Sequence, residues 1–263
     1  MSFTNPTVRL LQITDPHLME SPEDLMLGVN TDASFTKVLA AATAEENVDL
    51  IVMTGDISGC ESANSYRRMV ELMQGCSTSS LWLAGNHDNL ILLQATAGQY
   101  LHRSIEVGDW LIVTLTSSAP NVIGGKLSAS EMEALSQTLA ESSAGNILLA
   151  VHHHLVDVGS AWVDPQKIAN AAELFNLLEQ DKRVKAIIHG HIHQELDVNH
   201  NDVRILGTPS TWAQFVPNSE EFAVDPDGQP SYRVIDLHAN GQIDTEVKRI
   251  SVDLGLDLSI TSY

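Results

Sequence analysis

The stretch Val8-Arg9-Leu10-Leu11-Gln12-Ile13-Thr14-Asp15-Pro16-His17 decides how the rest of the chain is read. Val8 to Thr14 has the length and apolar character of one buried strand, and it delivers a carboxylate and an imidazole two residues apart. On a strand that spacing puts both side chains on one face, and just past a strand end both still reach one metal ion. The plan recurs four times. Leu50 to Thr54 ends at Gly55-Asp56, Leu81 to Leu83 at Gly85-Asn86-His87-Asp88, Ile147 to Val151 at His152-His153-His154, and Val184 to Ile188 leads into Gly190-His191-Ile192-His193. Residues at the carboxyl ends of parallel strands project into one shared crevice. Such a crevice gathers carboxylates, imidazoles and one amide, the oxygen and nitrogen donors suited to a pair of divalent transition metals.

Between these strands the pattern changes to helical. Thr31 to Glu46, with an Ala-rich interior, and Ser62 to Gln74 read as helices, as do Ser128 to Ala140 and Ala169 to Gln180 after Pro165. Ser128 stands three residues ahead of Glu131, a capping-box spacing that would satisfy two unpaired amides. Ser104 to Val107 and Trp110 to Thr116 flank Gly108-Asp109 as a hairpin, and Glu195 to Val198 with Val203 to Leu206 form another. Two late strands, Tyr232 to Leu237 and Ile243 to Arg249, surround Asn240-Gly241. Early strand–helix alternation followed by a strand-rich end predicts an α/β fold with a central mixed β sandwich covered by helices. The 263 residues suffice for a single domain over 1–263, its core at about 8–250 with a surface tail beyond.

Bulk properties narrow the partners. Lys and Arg number 14 against 34 Asp and Glu, and the formal charge of -20 repels a long nucleic acid. A phosphate ligand then needs local positive charge, which bound metal ions would supply. No apolar run approaches the roughly 20 residues needed to cross a bilayer, which excludes a membrane-spanning role. Cys60 and Cys76 make no disulfide framework, and Met1 to Pro6 lacks a basic-then-apolar leader, so a reduced, cytoplasmic setting is expected.

Singly, the motifs differ in weight. Asp-x-His and Gly-Asp also occur in ordinary turns, whereas Gly85-Asn86-His87-Asp88 packs a neutral oxygen ligand, an imidazole and a carboxylate able to orient that imidazole into consecutive positions. A carboxylate such as Asp56 has two oxygens and can bridge ions about 3.5–4 Å apart. Adjacent side chains in His152-His153-His154 point in different directions, so one ligand is expected there. His152, first after the apolar run, is preferred, leaving His153 and His154 as packing or supporting groups. His102, His189, His200 and His238 are expected to be ordinary polar or core histidines.

In order and together, the five segments resemble the signature of the calcineurin-like metallophosphoesterases. The resemblance implies a four-layer αββα sandwich of two mixed sheets flanked by helices, with a dinuclear metal centre between the sheets. By that match Asp15, His17, Asp56 and His193 hold one metal, Asp56 bridges, and Asn86, His152 and His191 complete the second. Iron or manganese is expected ahead of zinc or cobalt, since mixed nitrogen and oxygen ligands do not choose one ion by themselves.

Leu27-Gly28-Val29-Asn30-Thr31, Gly190 to Asp197, and Thr208-Pro209-Ser210-Thr211 with Gln214-Phe215 are similar to bacterial class III 3′,5′-cyclic-AMP phosphodiesterases. This narrower likeness covers most of Arg9 to Arg249 and is weakest between Leu90 and Asn146. Pro16 stands where Thr is common and Leu155 where Pro is usual, and neither change removes a donor atom. The implied reaction is hydrolysis of 3′,5′-cyclic AMP to 5′-AMP by a hydroxide generated between the metals. His17, Asp56, Asn86, His87 and His193 would line the phosphate, and His87, held by Asp88, would serve the leaving oxygen as acid. Other small phosphoesters (glycerophosphodiesters, 2′,3′-cyclic nucleotides, monoesters) would use the same ligands, and a non-catalytic scaffold is disfavoured by the intact set. A homodimer is compatible with the sequence.

Overall fold

Residues 7–259 are described in a computed structural model. Met1 to Pro6, on which the expectation about a leader falls, and the last four residues of the expected tail lie outside that range. Two sheets face each other. The first has the order β11-β10-β1-β2-β3, from β1 (Thr7–Ile13), β2 (Leu50–Thr54), β3 (Ser80–Leu83), β10 (Ser231–His238) and β11 (Ile243–Arg249). Here β1, β2 and β3 are parallel, Leu10 pairing Leu50 and Thr54 pairing Leu83, while β10 and β11 run antiparallel. The second sheet has the order β4-β5-β6-β7-β9-β8, from β4 (Ser104–Val107), β5 (Trp110–Leu115), β6 (Asn146–Val151), β7 (Val184–His189), β8 (Leu196–His200) and β9 (Val203–Gly207). Its four central strands are parallel and its two edges antiparallel.

The period-2 alternation of the strands builds four layers. Leu11, Ile13, Ile51 and Met53 turn outward onto α1 (Thr31–Ala42), α2 (Ala63–Gln74) and α3 (Leu90–Ala97), meeting Phe35, Val38, Met69 and Leu93. Leu111, Val113, Ile147 and Leu149 turn outward from the other sheet onto α4 (Ala129–Glu141) and α5 (Ala171–Leu178), meeting Leu135, Leu139 and Leu174. Leu10, Leu50, Val52 and Leu81 face Ile112, Leu148, Ala186 and Ile188 across the middle. The αββα sandwich is therefore two apolar helix interfaces around one apolar sheet interface.

At one end of that middle layer the filling turns polar. Gln12 Nε2 donates to Thr54 Oγ1 at 2.9 Å and to His189 O at 3.0 Å, and its Oε1 accepts from Thr208 Oγ1 at 2.6 Å. Arg233 is buried and donates to Thr208 Oγ1 at 3.0 Å and Gly207 O at 2.8 Å. Gln12 and Arg233 belong to one sheet, His189 and Gly207 to the other, so this chain staples the sheets where loops follow the parallel strands.

Several boundaries differ from the sequence reading. The first helix stops at Ala42 rather than Glu46, with Thr43 Oγ1 capping back to Leu39 O at 2.8 Å. α3 was not expected; its Leu90-Ile91-Leu92-Leu93 start has no polar face, and Asn89 caps it by accepting from Leu92 N at 3.1 Å. Ser128 accepts from Glu131 N at 3.0 Å as expected, but Glu131 Oε1 accepts from Thr116 N at 2.8 Å and pairs with Arg103. Only half of the capping box forms. The segment after Arg249 is also less of a free tail than expected: Leu254 and Leu256 pack on Met26, Leu27 and Trp212, and Asp257 N donates to Leu27 O at 2.9 Å.

Candidate metal centre

The loops after β1, β2, β3, β6 and β7 converge, and all five opening motifs meet in one place. Asp56 lies at its middle. Its Oδ2 is 3.6 Å from His17 Nε2 on one side and 3.3 Å from His152 Nε2 on the other. Its Oδ1 accepts from the backbone amide of His87 at 2.8 Å. Asp15 Oδ1 lies 3.9 Å from His17 Nε2 and 3.5 Å from His193 Nε2, and Asn86 Oδ1 is 3.0 Å from His152 Nε2. Donors bound at roughly 2.0–2.2 Å around one ion sit about 3.0–3.5 Å apart, so most of these separations match edges of a coordination shell.

Burial and hydrogen bonding prepare the imidazoles as ligands. His152 Nδ1 lies 2.9 Å from Thr54 O and His193 Nδ1 2.9 Å from Ala213 O, which directs each Nε2 inward. His191 Nε2 and His193 Nε2 are buried without a hydrogen-bond partner among the described residues, a cost that a bound cation removes. Burial pushes His17 down to about 3 despite the nearby Asp56, and pushes His191 well below the ordinary imidazole value, reinforced by His153 and His152. Both are therefore neutral. His152 is opposite: burial disfavours its charge, but Asp56 outweighs that and raises it to about 9. A cation against Nε2 would take the place of that proton. Asp56 and Asp15 are held below the usual carboxylate range, burial being overcome by His152 at Asp56 and by His193 at Asp15. The donor set fits two cations.

The backbone accepts an unusual conformation to do this. Asp15 (φ 50), His17 (φ 47), Asp56 (φ 51), His191 (φ 67) and His193 (φ 48) all adopt the left-handed region, at roughly 1–3 kcal/mol each. Cross-loop hydrogen bonds hold them: Asp15 N to Gly55 O at 3.1 Å, His17 N to Asp56 O at 2.9 Å, and His191 N to both Asp15 oxygens at 3.2 and 3.1 Å. Two glycines allow the close approach. A Cβ on Gly85 would overlap Asp56 Oδ1, and one on Gly190 would overlap Thr14 Oγ1 and Asp15 Oδ2.

Asp88 has backbone partners in addition to the support of His87 expected of it. It accepts from Ile57 N at 3.1 Å, Ser58 N at 2.9 Å and Gly85 N at 2.9 Å, tying the Asp56 loop to the Asn86 loop. Burial and the adjacent Asp56 raise it to about 6. His87 is half-buried, unlike the surrounding histidines, and its ring centroid is 5.0 Å from that of His17. It occupies the rim of the site.

The other histidines separate by their nitrogens. His153 Nδ1 is 2.7 Å from Ser117 Oγ and Nε2 2.8 Å from Ile123 O, so both are engaged although the ring lies beside His152 and His191. His154 stacks against His191 with centroids 5.6 Å apart. His200 stacks on Phe175 and His238 pairs with Asp244. Aromatic packing around the donors was not read from the sequence: Phe215 stacks on His193 at 4.1 Å, and Trp212 packs edge-on to His17 at 5.7 Å. Gln194, directly after His193, stood in the resembling stretch Gly190 to Asp197 but was given no role of its own.

Comparison with known proteins places the chain in a family. Residues 8–195 match the calcineurin-like phosphoesterase family. The chain is 38% identical over 254 residues to the 3′,5′-cyclic adenosine monophosphate phosphodiesterase CpdA of Haemophilus influenzae, covering 93% of this chain and 91% of that protein. It is 38% identical over 249 residues to CpdA of Escherichia coli K12, covering 93% and 90%. A 3′,5′-cyclic-nucleotide phosphodiesterase of Nostoc is 31% identical over 258 residues, covering 97% of each. Among solved structures, a dimetal phosphatase from Danio rerio superposes with a TM-score of 0.58 at 16% identity, covering 93% of this chain and 99% of that one. Yellow lupin purple acid phosphatase gives 0.61 at 12% identity, covering 92% of this chain and 54% of the larger one. The two structural likenesses bear on the fold alone.

Proposed function

The chain belongs to the calcineurin-like phosphoesterase family, and from that premise we propose that it is a dinuclear-metal phosphodiesterase hydrolysing 3′,5′-cyclic AMP to 5′-AMP. The observation that carries the reaction class is the position of Asp56 Oδ2 between two inward-facing imidazoles, at 3.6 Å from His17 and 3.3 Å from His152. A carboxylate so placed is suited to be shared by two ions. The choice of cyclic AMP is supported by the relatives named for that substrate, which match almost end to end.

In this reading Asp15, His17, Asp56 and His193 hold one cation, and Asp56, Asn86, His152 and His191 hold the other. When bound, such a pair supplies a water acidified toward pKa ~7 and positive charge against the phosphoryl oxygens. The protein does the rest. His17 and His191 remain neutral donors because burial keeps protons off them. Trp212 and Phe215 pack against His17 and His193 and exclude water from their rings. His87, at the rim, donates an imidazole N–H to the departing 3′ oxygen, help typically worth about 10²–10⁴-fold. Asp88 contributes by fastening the loops that carry Asp56 and Asn86. Iron or manganese is the proposed pair.

The whole chain is proposed to work as one domain, because β10 and β11 complete the sheet that begins with β1. Among the described residues no helix is long and apolar enough to cross a membrane. Cys60 and Cys76 are free thiols, in keeping with a cytoplasmic setting. The test is a metal-reconstituted activity panel of 3′,5′-cyclic AMP, 3′,5′-cyclic GMP, 2′,3′-cyclic AMP, a glycerophosphodiester and an aryl monoester. Cyclic AMP is expected to be turned over best; equal or better turnover of the non-cyclic esters overturns the substrate assignment.

A further inference from the structure

A cavity of ≈ 400 Å³ opens beside the metal centre, with His193 in its wall. Its lining also includes Gln194, Gln214, Phe215, Pro209, Pro217 and Asp225. The two glutamines are in contrasting states. The Gln214 amide is fully used: Oε1 accepts from Ser210 N at 2.9 Å, and Nε2 donates to Ser210 O at 2.8 Å and Gln229 O at 3.1 Å. It holds the loop that follows β9. Gln194 is 8% exposed, and its Nε2 is buried with no hydrogen-bond partner among the described residues. Leaving a buried amide donor unmade is costly, and native proteins rarely do it without a reason. Of the residues lining this cavity, the buried polar atoms without partners are His193 Nε2, directed at Asp15, and Gln194 Nε2. One is assigned to the metal side; the other is an unpaired donor on a residue of the cavity wall.

We propose that this cavity is the nucleobase subsite and that Gln194 is the residue that selects adenine; the proposal rests on the cyclic-nucleotide reading of the metal centre. A carboxamide presents one donor and one acceptor side by side. Adenine offers the complementary pair, an N6 amino donor next to the N7 acceptor, whereas guanine offers two acceptors, O6 and N7, on the same edge. One glutamine therefore makes both bonds to adenine and only one to guanine. Phe215, Pro209 and Pro217 provide apolar walls of the kind against which a flat base packs. Asp225, Asp227 and Glu195 line the cavity with one arginine, Arg249, which pairs with Glu195, so the wall is net acidic and suits the amino group of adenine. Gln194 follows His193 directly in sequence. Both side chains line the same cavity, so a ligand that reaches His193 from it also meets the Gln194 wall.

The experiment compares wild type and Gln194→Leu, both metal-loaded, on 3′,5′-cyclic AMP, 3′,5′-cyclic GMP and bis(p-nitrophenyl) phosphate, which has no base. For Gln194→Leu, KM for cyclic AMP is expected to rise about tenfold with kcat within about twofold, and the preference over cyclic GMP to shrink. The aryl diester should be hydrolysed as by wild type. Calorimetric titration with 5′-AMP should show the same weakening without turnover. An unchanged KM for cyclic AMP overturns the proposal. If Gln194→Leu loses all three activities, Gln194→Asn, which keeps the amide but withdraws it by one methylene, is read by the same ratios, and equal loss on all substrates there overturns it too. A wild-type protein that hydrolyses the aryl diester but neither cyclic nucleotide would instead defeat the cyclic-nucleotide reading, and this subsite with it.

Discussion

The backbone amide of His87 donates to Asp56 Oδ1 at 2.8 Å. The residue proposed to serve the leaving group thus also fixes, through its main chain, the carboxylate proposed to be shared by two metals. Its side chain and its backbone have separable duties, and substitution distinguishes them.

His87→Ala removes the imidazole and keeps the amide. Metal content should be unchanged, while kcat for cyclic AMP, whose leaving group is an alkoxide, falls about 10²–10⁴-fold. Hydrolysis of a nitrophenyl diester, whose leaving group needs no proton, should fall far less. Metal analysis that shows loss of an ion would instead make His87 a ligand.

Gly85→Ala places a Cβ where Asp56 Oδ1 lies. The carboxylate has to rotate away, so manganese content after reconstitution should fall below about two ions per chain while circular dichroism stays that of a folded protein. Full metal occupancy in this variant would show that the Asp56 position is less constrained than the distances indicate.

Asp88→Asn replaces an oxygen acceptor by an NH2 group facing backbone donors. Three amides, from Ile57, Ser58 and Gly85, now share one acceptor. A loss of about 1–3 kcal/mol in unfolding free energy is expected in the metal-free protein. An unchanged denaturant midpoint would remove Asp88 from its role as loop clamp.

Thr208 accepts from Arg233 and donates to Gln12 in the buried staple between the sheets. Thr208→Val keeps the shape and strands both partners, costing about 1–3 kcal/mol, whereas Thr208→Ser should recover most of it. If valine and serine behave alike, the hydroxyl is not what holds the sheets at this end.

Metal removal should lower stability measurably, because the folded chain alone presents the donors in place. At a free metal concentration a hundred times Kd, one site adds about 2.7 kcal/mol. Chelation followed by thermal unfolding reads this directly, and a melting temperature indifferent to manganese or iron would contradict two structural ions.

Much of the fold and donor set could be read from the sequence because each motif ended a short apolar run. Strand ends and donors coincide at Thr14-Asp15, Thr54-Gly55-Asp56 and Val151-His152, where local pattern and chemistry are written together. α3 escaped because Leu90 to Leu93 carries no polar period, and only Asn89 marked its start. The backbone partners of Asp88 escaped for another reason: Ile57 and Ser58 lie on a different loop, which local pattern does not reveal. Gln194 stood inside the stretch Gly190 to Asp197 but no role could be read for it, since its interest lies in a hydrogen bond it does not make.

The left-handed backbone at Asp15, His17, Asp56, His191 and His193 has a consequence for how the centre comes into being. Those conformations are held by hydrogen bonds between loops, Asp15 N to Gly55 O and His17 N to Asp56 O within the first sheet and His191 N to Asp15 across the two sheets. The socket is therefore complete only once the two sheets have packed, with the donors then in place for ions to be loaded. Chains made while metal is scarce would accumulate as folded, loadable apoprotein instead of debris, and transplanting this centre to another scaffold would require its loops as well as its side chains.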